Sequence, residues 1–356
     1  MRFPRLYLNF LLVVCCVLLA SCTAPSQPPV QALLYVYRFD PPAFVEFSAD
    51  LQKLREIPFA IPANCGILDD YPAPFGKYLS VELSCPNGQT VLFLDTDSGA
   101  VTQPVRDTDS HFLAWTSDGS SAYLKIASLG NARVVQMHPN GKHDDIDISG
   151  WTYDLSAKPG ADAFLFAFSN GLGSGSELDL SVDRGSTAKT LYSDPYHYIS
   201  FSRYSPDGSR ILFLKIPDSS VPFTVGELWV MNADGSEPRP LAEADAGHGY
   251  AANWSPDGQQ IAFVKRDNPQ DESANQSAES LISNVNVIDM QSGVIAPVTH
   301  LTQGRAETPH WSPDGNTLTF NVVLNGRIEV QIAALDSGQI RSISTQPVCC
   351  PAWIRK

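Results

Sequence analysis

The apolar positions of this chain come in short runs that are hydrophobic nearly throughout, among them "RILFLK" (210–215) and "QIAFVK" (260–265). Such runs suit strands buried on both faces. Each follows a turn that is written three times: "YSPDGSRILFLK" from Tyr204, "WSPDGQQIAFVK" from Trp254 and "WSPDGNTLTFNV" from Trp311. Proline presets φ and glycine accepts φ > 0, so each copy predicts a β-hairpin with an aromatic residue at the end of its first strand.

Weaker copies extend the pattern. "HFLAWTSDGSSAYLKI" carries Trp115 and Gly119, "WTYDLSAKPGADAFLFAF" turns near Gly160, "DDYPAPFGKYLSVEL" turns near Gly76, and "CCPAWIRK" stops at a first strand. A second Gly-bearing turn follows each hairpin, at Gly99, Gly141, Gly185, Gly235, Gly293 and Gly338. Each unit is therefore four strands. Such a unit, recurring at a spacing of tens of residues, predicts a propeller blade, because stacking around an axis buries the two faces that one blade leaves bare. Residues 32–39 and 43–58 read as second to fourth strands whose first strand is "CCPAWI" at the opposite end of the chain. The expectation is an all-β, seven-bladed propeller over 32–356, with six blades as the alternative count. The C-terminal first strand and N-terminal second to fourth strands would close the ring.

The stretches "WSPDGQQIAFV", "YSPDGSRILFL" and "ELWVMNADGSEPRPL" resemble the repeats of TolB-type propellers, SPDG relatives of WD repeats. The resemblance is specific over 199–345. TolB itself carries an extra α/β domain before a six-bladed propeller, whereas strands begin here directly after a tether, so TolB's role in the outer membrane does not carry over. The repeat belongs to propellers of many functions.

Composition narrows the field. Against 24 Lys and Arg stand 38 Asp and Glu, a balance that disfavours nucleic acid and electrostatic docking on anionic membranes. The N-terminus reads as a signal: basic "MRFPR", an apolar stretch, then Leu19-Ala20-Ser21-Cys22, the pattern of a bacterial lipobox. Residues 1–21 would leave, Cys22 would take the lipid, and 22–31 would be a Pro-rich tether. Thr23 in place of Asp favours the outer membrane of a two-membrane cell; otherwise the protein would face outward from the cell membrane. Of seven cysteines, Cys15 and Cys16 leave with the signal, and Cys65, Cys85, Cys349 and Cys350 remain. An even number in an exported chain suggests disulfides. Cys65–Cys85 is favoured because they flank adjacent strands; Cys349–Cys350 would pair vicinally, or one of them would reach Cys65.

Candidate chemistry is sparse. Some serine peptidases place an SPDG propeller before a hydrolase domain. The nearest approach to a nucleophile elbow, "NGLGSGSE" (170–177), lacks the central Ser and reads as a loop. No hydrolase domain is expected after residue 345. "DTDSG" (95–99) lacks the later Glu of a calcium loop and reads as a turn. Propeller-type polysaccharide lyases hold a metal with His on one face. Here His111, His197, His248 and His310 lie at or before first strands, and Asp194, Asp245 and Glu307 precede three of them at one spacing. Measured from the aromatic residue of each blade, the four histidines do not share a register. Trp115, Trp254, Trp311 and Trp353 recur at one position and read as inter-blade packing. The loops 217–226 and 266–280 share the histidine-bearing face, and the longer one reads as polar and mobile. The resulting expectation is a monomeric, lipid-anchored, extracytoplasmic module that binds protein or glycan on its loop face, with no cofactor. The alternatives are a metal-assisted polysaccharide lyase or hydrolase and an envelope sensor or assembly factor.

Overall fold

The apolar runs are strands and the Gly-bearing turns are hairpins. The computed structural model describes residues 31–356, apart from 107–108, 129–130, 172 and 247–250. Within them the regular structure is strand except for one short turn of 3-10 helix, Ala278–Ser280. No helix of the described residues is long and apolar enough to cross a membrane. Cys22 and the signal pattern lie outside the described residues, as does His248.

Four antiparallel four-stranded sheets follow one another through 66–102, 109–146, 152–194 and 197–245. Residues 253–297 and 305–342 each add an antiparallel four-stranded unit, and one parallel bridge, Ser283 to Arg305, joins the two into a larger sheet. The remaining sheet takes its strands from both ends of the chain. Val348–Arg355 pairs with Ala32–Arg38, which pairs with Ala43–Ser48 and then Lys53–Pro58. Its register runs from Ala32 opposite Arg355 to Arg38 opposite Val348. The tail is pinned further: the Lys356 N–H donates to the Gln31 carbonyl at 2.9 Å, and the Gly76 N–H to the Arg355 carbonyl at 2.9 Å.

The core lies between sheets. In Arg210–Pro217, Leu212 and Leu214 pack with Trp254, Ile261 and Phe263 of the following sheet. Their neighbours Ile211 and Phe213 pack with Leu165 and Leu178 of the preceding one. This is why the run is apolar at every position: alternate side chains serve opposite faces. Among the described residues there are seven such apolar clusters, each joining one four-stranded unit to the next. Two of them flank the sheet built from both termini. Val330 and Ile332 meet Leu34, Val36 and Trp353 on one side, and Tyr35, Tyr37 and Ala352 meet Leu79 and Val81 on the other.

The recurring tryptophans serve these contacts. The indole N–H of Trp115 donates to the Tyr71 carbonyl at 2.8 Å, that of Trp254 to Arg203 at 3.3 Å, and that of Trp311 to Asn253 at 3.0 Å, each in the first strand of the preceding unit. Trp353 reaches back to a side chain instead, Thr319 Oγ1 at 3.1 Å. An indole is suited to the position because it fills an apolar gap while satisfying a buried carbonyl.

The repeated turn explains its own sequence. Ser205, Ser255 and Ser312 each donate a hydroxyl to the Asp two residues on, all at 2.6 Å. The same Asp oxygen accepts the backbone N–H of Ser209, Gln259 or Asn316, and the Ser oxygen accepts the N–H that opens the return strand. Thr116 and Asp118 repeat the arrangement. Gly208, Gly258 and Gly315 sit at φ 69°, 69° and 76°, where a side chain would be strained. Asp257→Ala should therefore lower the unfolding free energy by about 1 kcal/mol. Asp336→Ala, at an exposed turn position, should stay within about 0.5 kcal/mol of the parent. Urea unfolding of the two variants against the parent checks the difference.

Candidate functional site

The connections from each sheet to the next, and those between second and third strands, gather at one end of the sheets. The first strands begin there. His197 opens Arg210's partner strand His197–Tyr204, directly after Asp194 closes Ala188–Asp194. The short connection lets the two side chains meet, with His197 Nδ1 2.9 Å from Asp194 Oδ1. Lys215 Nζ lies 2.7 Å from Asp194 Oδ2 and 4.5 Å from the centre of the Trp229 ring. Burial alone pushes the Asp194 carboxyl up, but Lys215, His197 and the Tyr196 N–H outweigh it and hold the pKa at about 2. An ionised Asp194 requires a proton on His197 Nδ1, so in the neutral ring Nε2 is the acceptor. His197, Lys215, Glu227 and Glu243 line a groove of about 560 Å³ across the sheet 197–245. A second groove, of about 310 Å³, lies on the other side of Asp194 and is bounded by Ser169, Ser174 and Glu177. The "NGLGSGSE" loop forms its wall. Asp218 Oδ2 accepts the N–H groups of Gly173 and Gly175 at 2.7 and 3.1 Å, tying that loop to the next sheet.

Of the other acid–histidine spacings, that of Asp245 and His248 lies partly outside the described residues. Asp245 is fully buried with Arg266, at 2.9 Å, and also accepts the Ser283 hydroxyl. Arg266 donates to the Phe223 and Thr224 carbonyls and to Asn275 Oδ1, so one guanidinium holds both long loops. The segment expected to be mobile is in fact a run of hydrogen-bonded turns, with Ala274 and Leu281 buried beneath it. Its polar composition reflects its outer surface, while these two small apolar anchors and Arg266 fix it from below. Glu307 pairs with Arg305, and a bulge between Glu307 and His310, with Thr308 at φ 47°, breaks the strand alternation between them. His310 is only partly covered by area, yet protein surrounds it, and burial pushes its imidazole down to about 4. His111 Nδ1 lies 3.5 Å from Glu82 Oε1. Among the described residues, no group of three or more His, Cys, Asp and Glu comes together in a form able to hold a metal. The structure thus unites Asp194 with His197, while the relation of Asp245 to His248 lies outside the described residues.

The first strands also bring together residues that sequence reasoning missed. Asp69 in Gly66–Pro72 has its carboxyl pushed up to about 7: burial is the main cause, the Asp70 N–H opposes it, and the charges of Glu82 and Glu307 add to it. Burial also raises the Tyr71 phenol, and the charge of Arg203 from a different sheet acts against the rise. The charge of Glu307 thus acts on Asp69 and that of Arg203 on Tyr71, so first strands of other sheets bring charges to Gly66–Pro72. Arg203 is itself paired with Asp154 at 3.2 Å. The available signal was Asp69-Asp70 inside an otherwise strand-like run, but that copy lacks the Pro-Asp-Gly turn that would have aligned it. Trp151 and Tyr196, on successive sheet-to-sheet connections, are 67% and 76% exposed, which marks them as free for contact.

The four cysteines form two disulfides, Cys65–Cys85 and Cys349–Cys350. The Cα atoms are 4.2 Å apart in the first pair and 3.7 Å in the second.

No family model matches the chain. It is 32% identical over 103 residues to the uncharacterised peptidase YuxL of Bacillus subtilis, a match covering 28% of this chain and 15% of that one. The chain therefore spans well under half the length of that relative. Among solved structures, TolB from Acinetobacter baumannii superposes with a TM-score of 0.52 at 19% identity, over 88% of this chain and 78% of that one. Oligogalacturonate lyase from Vibrio parahaemolyticus superposes with a TM-score of 0.54 at 12% identity, over 88% and 85%. The fold is a TolB-like β-propeller.

The axial carboxylates have a measurable signature. A carboxyl whose folded pKa is raised lends stability below its unfolded pKa, about 4, and that stability is lost as pH rises through the folded value. Asp69→Asn should therefore raise the thermal midpoint at pH 8 and leave it nearly unchanged at pH 4. The two melting curves should converge as the pH is lowered from 7.

Proposed function

We propose that this protein is a lipid-anchored, extracytoplasmic seven-bladed propeller that binds a protein or glycan partner on its loop face without catalysis. Seven four-stranded units joined by seven apolar interfaces support the blade count. The Leu19-Ala20-Ser21-Cys22 pattern supports the anchor, with Thr23 favouring the outer membrane of a two-membrane cell. The reading takes the protein as a monomer, in keeping with sheets that are each covered by their neighbours within the chain. The observation that carries the binding reading is the combination on one face of exposed Trp151 and Tyr196 with loops fixed from beneath by Arg266 and Asp218. Aromatic side chains on a rigid frame offer contact area at small entropic cost. Both protein surfaces and sugar rings present the apolar faces such side chains accept.

The second reading is a propeller-type lyase. It is favoured by one observation: Asp194 orients His197 at the edge of a groove that also holds Lys215. In that reading His197 Nε2 would take the C5 proton of a uronate, the electron pair would form the C4–C5 double bond, and the glycosidic oxygen would leave C4 and be protonated by water.

Photo-crosslinking groups at the neighbouring exposed positions Asp147 and Ser193 of the full chain, in intact cells, distinguish these readings. A discrete adduct is expected, lost in Trp151→Ala/Tyr196→Ala. Cys22→Ala should abolish lipid labelling and release the protein from the membrane fraction. Absence of any adduct, together with unsaturated product from a uronate polysaccharide that disappears in His197→Ala, would reject the binding module in favour of the lyase.

A further inference from the structure

The strand Val348–Arg355 contains one interruption. Tyr37 pairs with Cys349 and Tyr35 with Ala352, so Val36 alone faces both Cys350 and Pro351. Cys350 sits at φ 63°, in the left-handed region that L-residues with side chains avoid. Comparable bulges with a left-handed residue occur in the first strands of two other units, at Phe201 and Thr308. The distorted backbone is thus a feature of this architecture, and each unit holds it in its own way. Thr308 Oγ1 accepts from Asn321 Nδ2 at 3.1 Å. Ser202, next to Phe201, donates its N–H to Asp154 Oδ2 at 2.7 Å and its hydroxyl to the same oxygen. At Cys350 the backbone N–H donates to Asn321 Oδ1 at 3.1 Å, and the side chain is held by its bond to Cys349. A covalent ring takes the place that polar side chains fill elsewhere.

We propose that the Cys349–Cys350 bond is a redox latch on the sheet that joins the two ends of the chain. Both residues are buried, at 3% and 9% exposure, in a cluster with Tyr35, Tyr37, Phe44 and Leu83. Two thiols cannot stay at bonding distance. They must part to a van der Waals contact, and a close-packed cluster has no room for that unless the bulge shifts. Reduction therefore acts directly on the pairing between Val348–Arg355 and Ala32–Arg38. A dithiol supplies the electrons. Its thiolate attacks the more exposed Cys350 sulfur, forming a mixed disulfide and freeing the Cys349 thiolate, which takes a proton. The reductant's second thiolate then attacks its own mixed-disulfide sulfur, and the Cys350 thiolate leaves and is protonated. The protein gains two electrons and two protons, and the reductant leaves as a disulfide.

The test uses the full chain carrying Cys65→Ala/Cys85→Ala, so that the vicinal bond is the one structural disulfide. Hydrogen exchange read by mass spectrometry is compared before and after treatment with dithiothreitol, with alkylation mapped to Cys349 and Cys350 confirming that the bond is open. Amides in 33–37 and 349–354 should exchange about tenfold faster after reduction, while those in 211–216 stay unchanged, and reoxidation should reverse the effect. Unchanged exchange in a chain proven reduced overturns the proposal. So does uniform loss of protection throughout, or absence of the bond in the untreated chain. If the double variant fails to fold, Cys349→Ala/Cys350→Ala against the oxidised parent gives the same reading: local loosening confined to those two strands supports the latch, and equal protection refutes it.

Discussion

A four-stranded sheet with apolar side chains on both faces cannot exist alone in water. That constraint governs this molecule. Each return strand is hydrophobic at successive positions because one set of side chains meets the sheet before it and the other the sheet after it. A linear stack would leave two bare faces at its ends. Here the sheet made from 32–58 and 348–355 has apolar contacts on both sides, with 330–332 and with 79–94. The closing contact is thus both a hydrogen-bonded strand pair and two buried apolar interfaces. Burial at roughly 25 cal/mol per Å² makes such faces the dominant favourable contribution to the fold.

What the sequence made legible follows from repetition. The Ser-Pro-Asp-Gly turns were readable because a local hydrogen-bond pattern fixes each residue: Ser and Asp by their mutual bond, Gly by its positive φ. Trp115, Trp254, Trp311 and Trp353 were readable as packing because they recur at one place. The pairing of the two chain ends was readable because a unit with no first strand and a first strand with no unit stood at opposite ends. The site was less legible. Identical acid-x-x-histidine spacing gave a bonded pair at Asp194 and His197, yet a bulge came between Glu307 and His310. Spacing fixes separation along a strand, not the direction a bulged backbone gives each side chain. Asp69 and Glu82 escaped notice for a different reason. Their importance arises from residues on other sheets, and convergence on an axis has no local signature.

Stability and the candidate site rest on different groups. Apolar interfaces and turn hydrogen bonds hold the sheets, while polar and charged groups collect along the axis and at the loop end. Arg266 is the link between the two, since it is buried like a core residue but bonded to loop carbonyls. A guanidinium suits this task because its several donors can hold separate carbonyls in a fixed geometry. The connection that carries Tyr196 is tied separately, by the Asp218 N–H donating to the Tyr196 carbonyl at 2.9 Å.

The most direct measurement concerns the junction of tail and head. A chain ending at residue 345 should lose its single cooperative urea transition and unfold at lower denaturant. A synthetic peptide of residues 346–356, added in trans, should bind saturably and restore the transition. A truncated chain with the same midpoint and slope as the parent, indifferent to the peptide, would show that the sheets are held without that strand and that the account of closure is wrong.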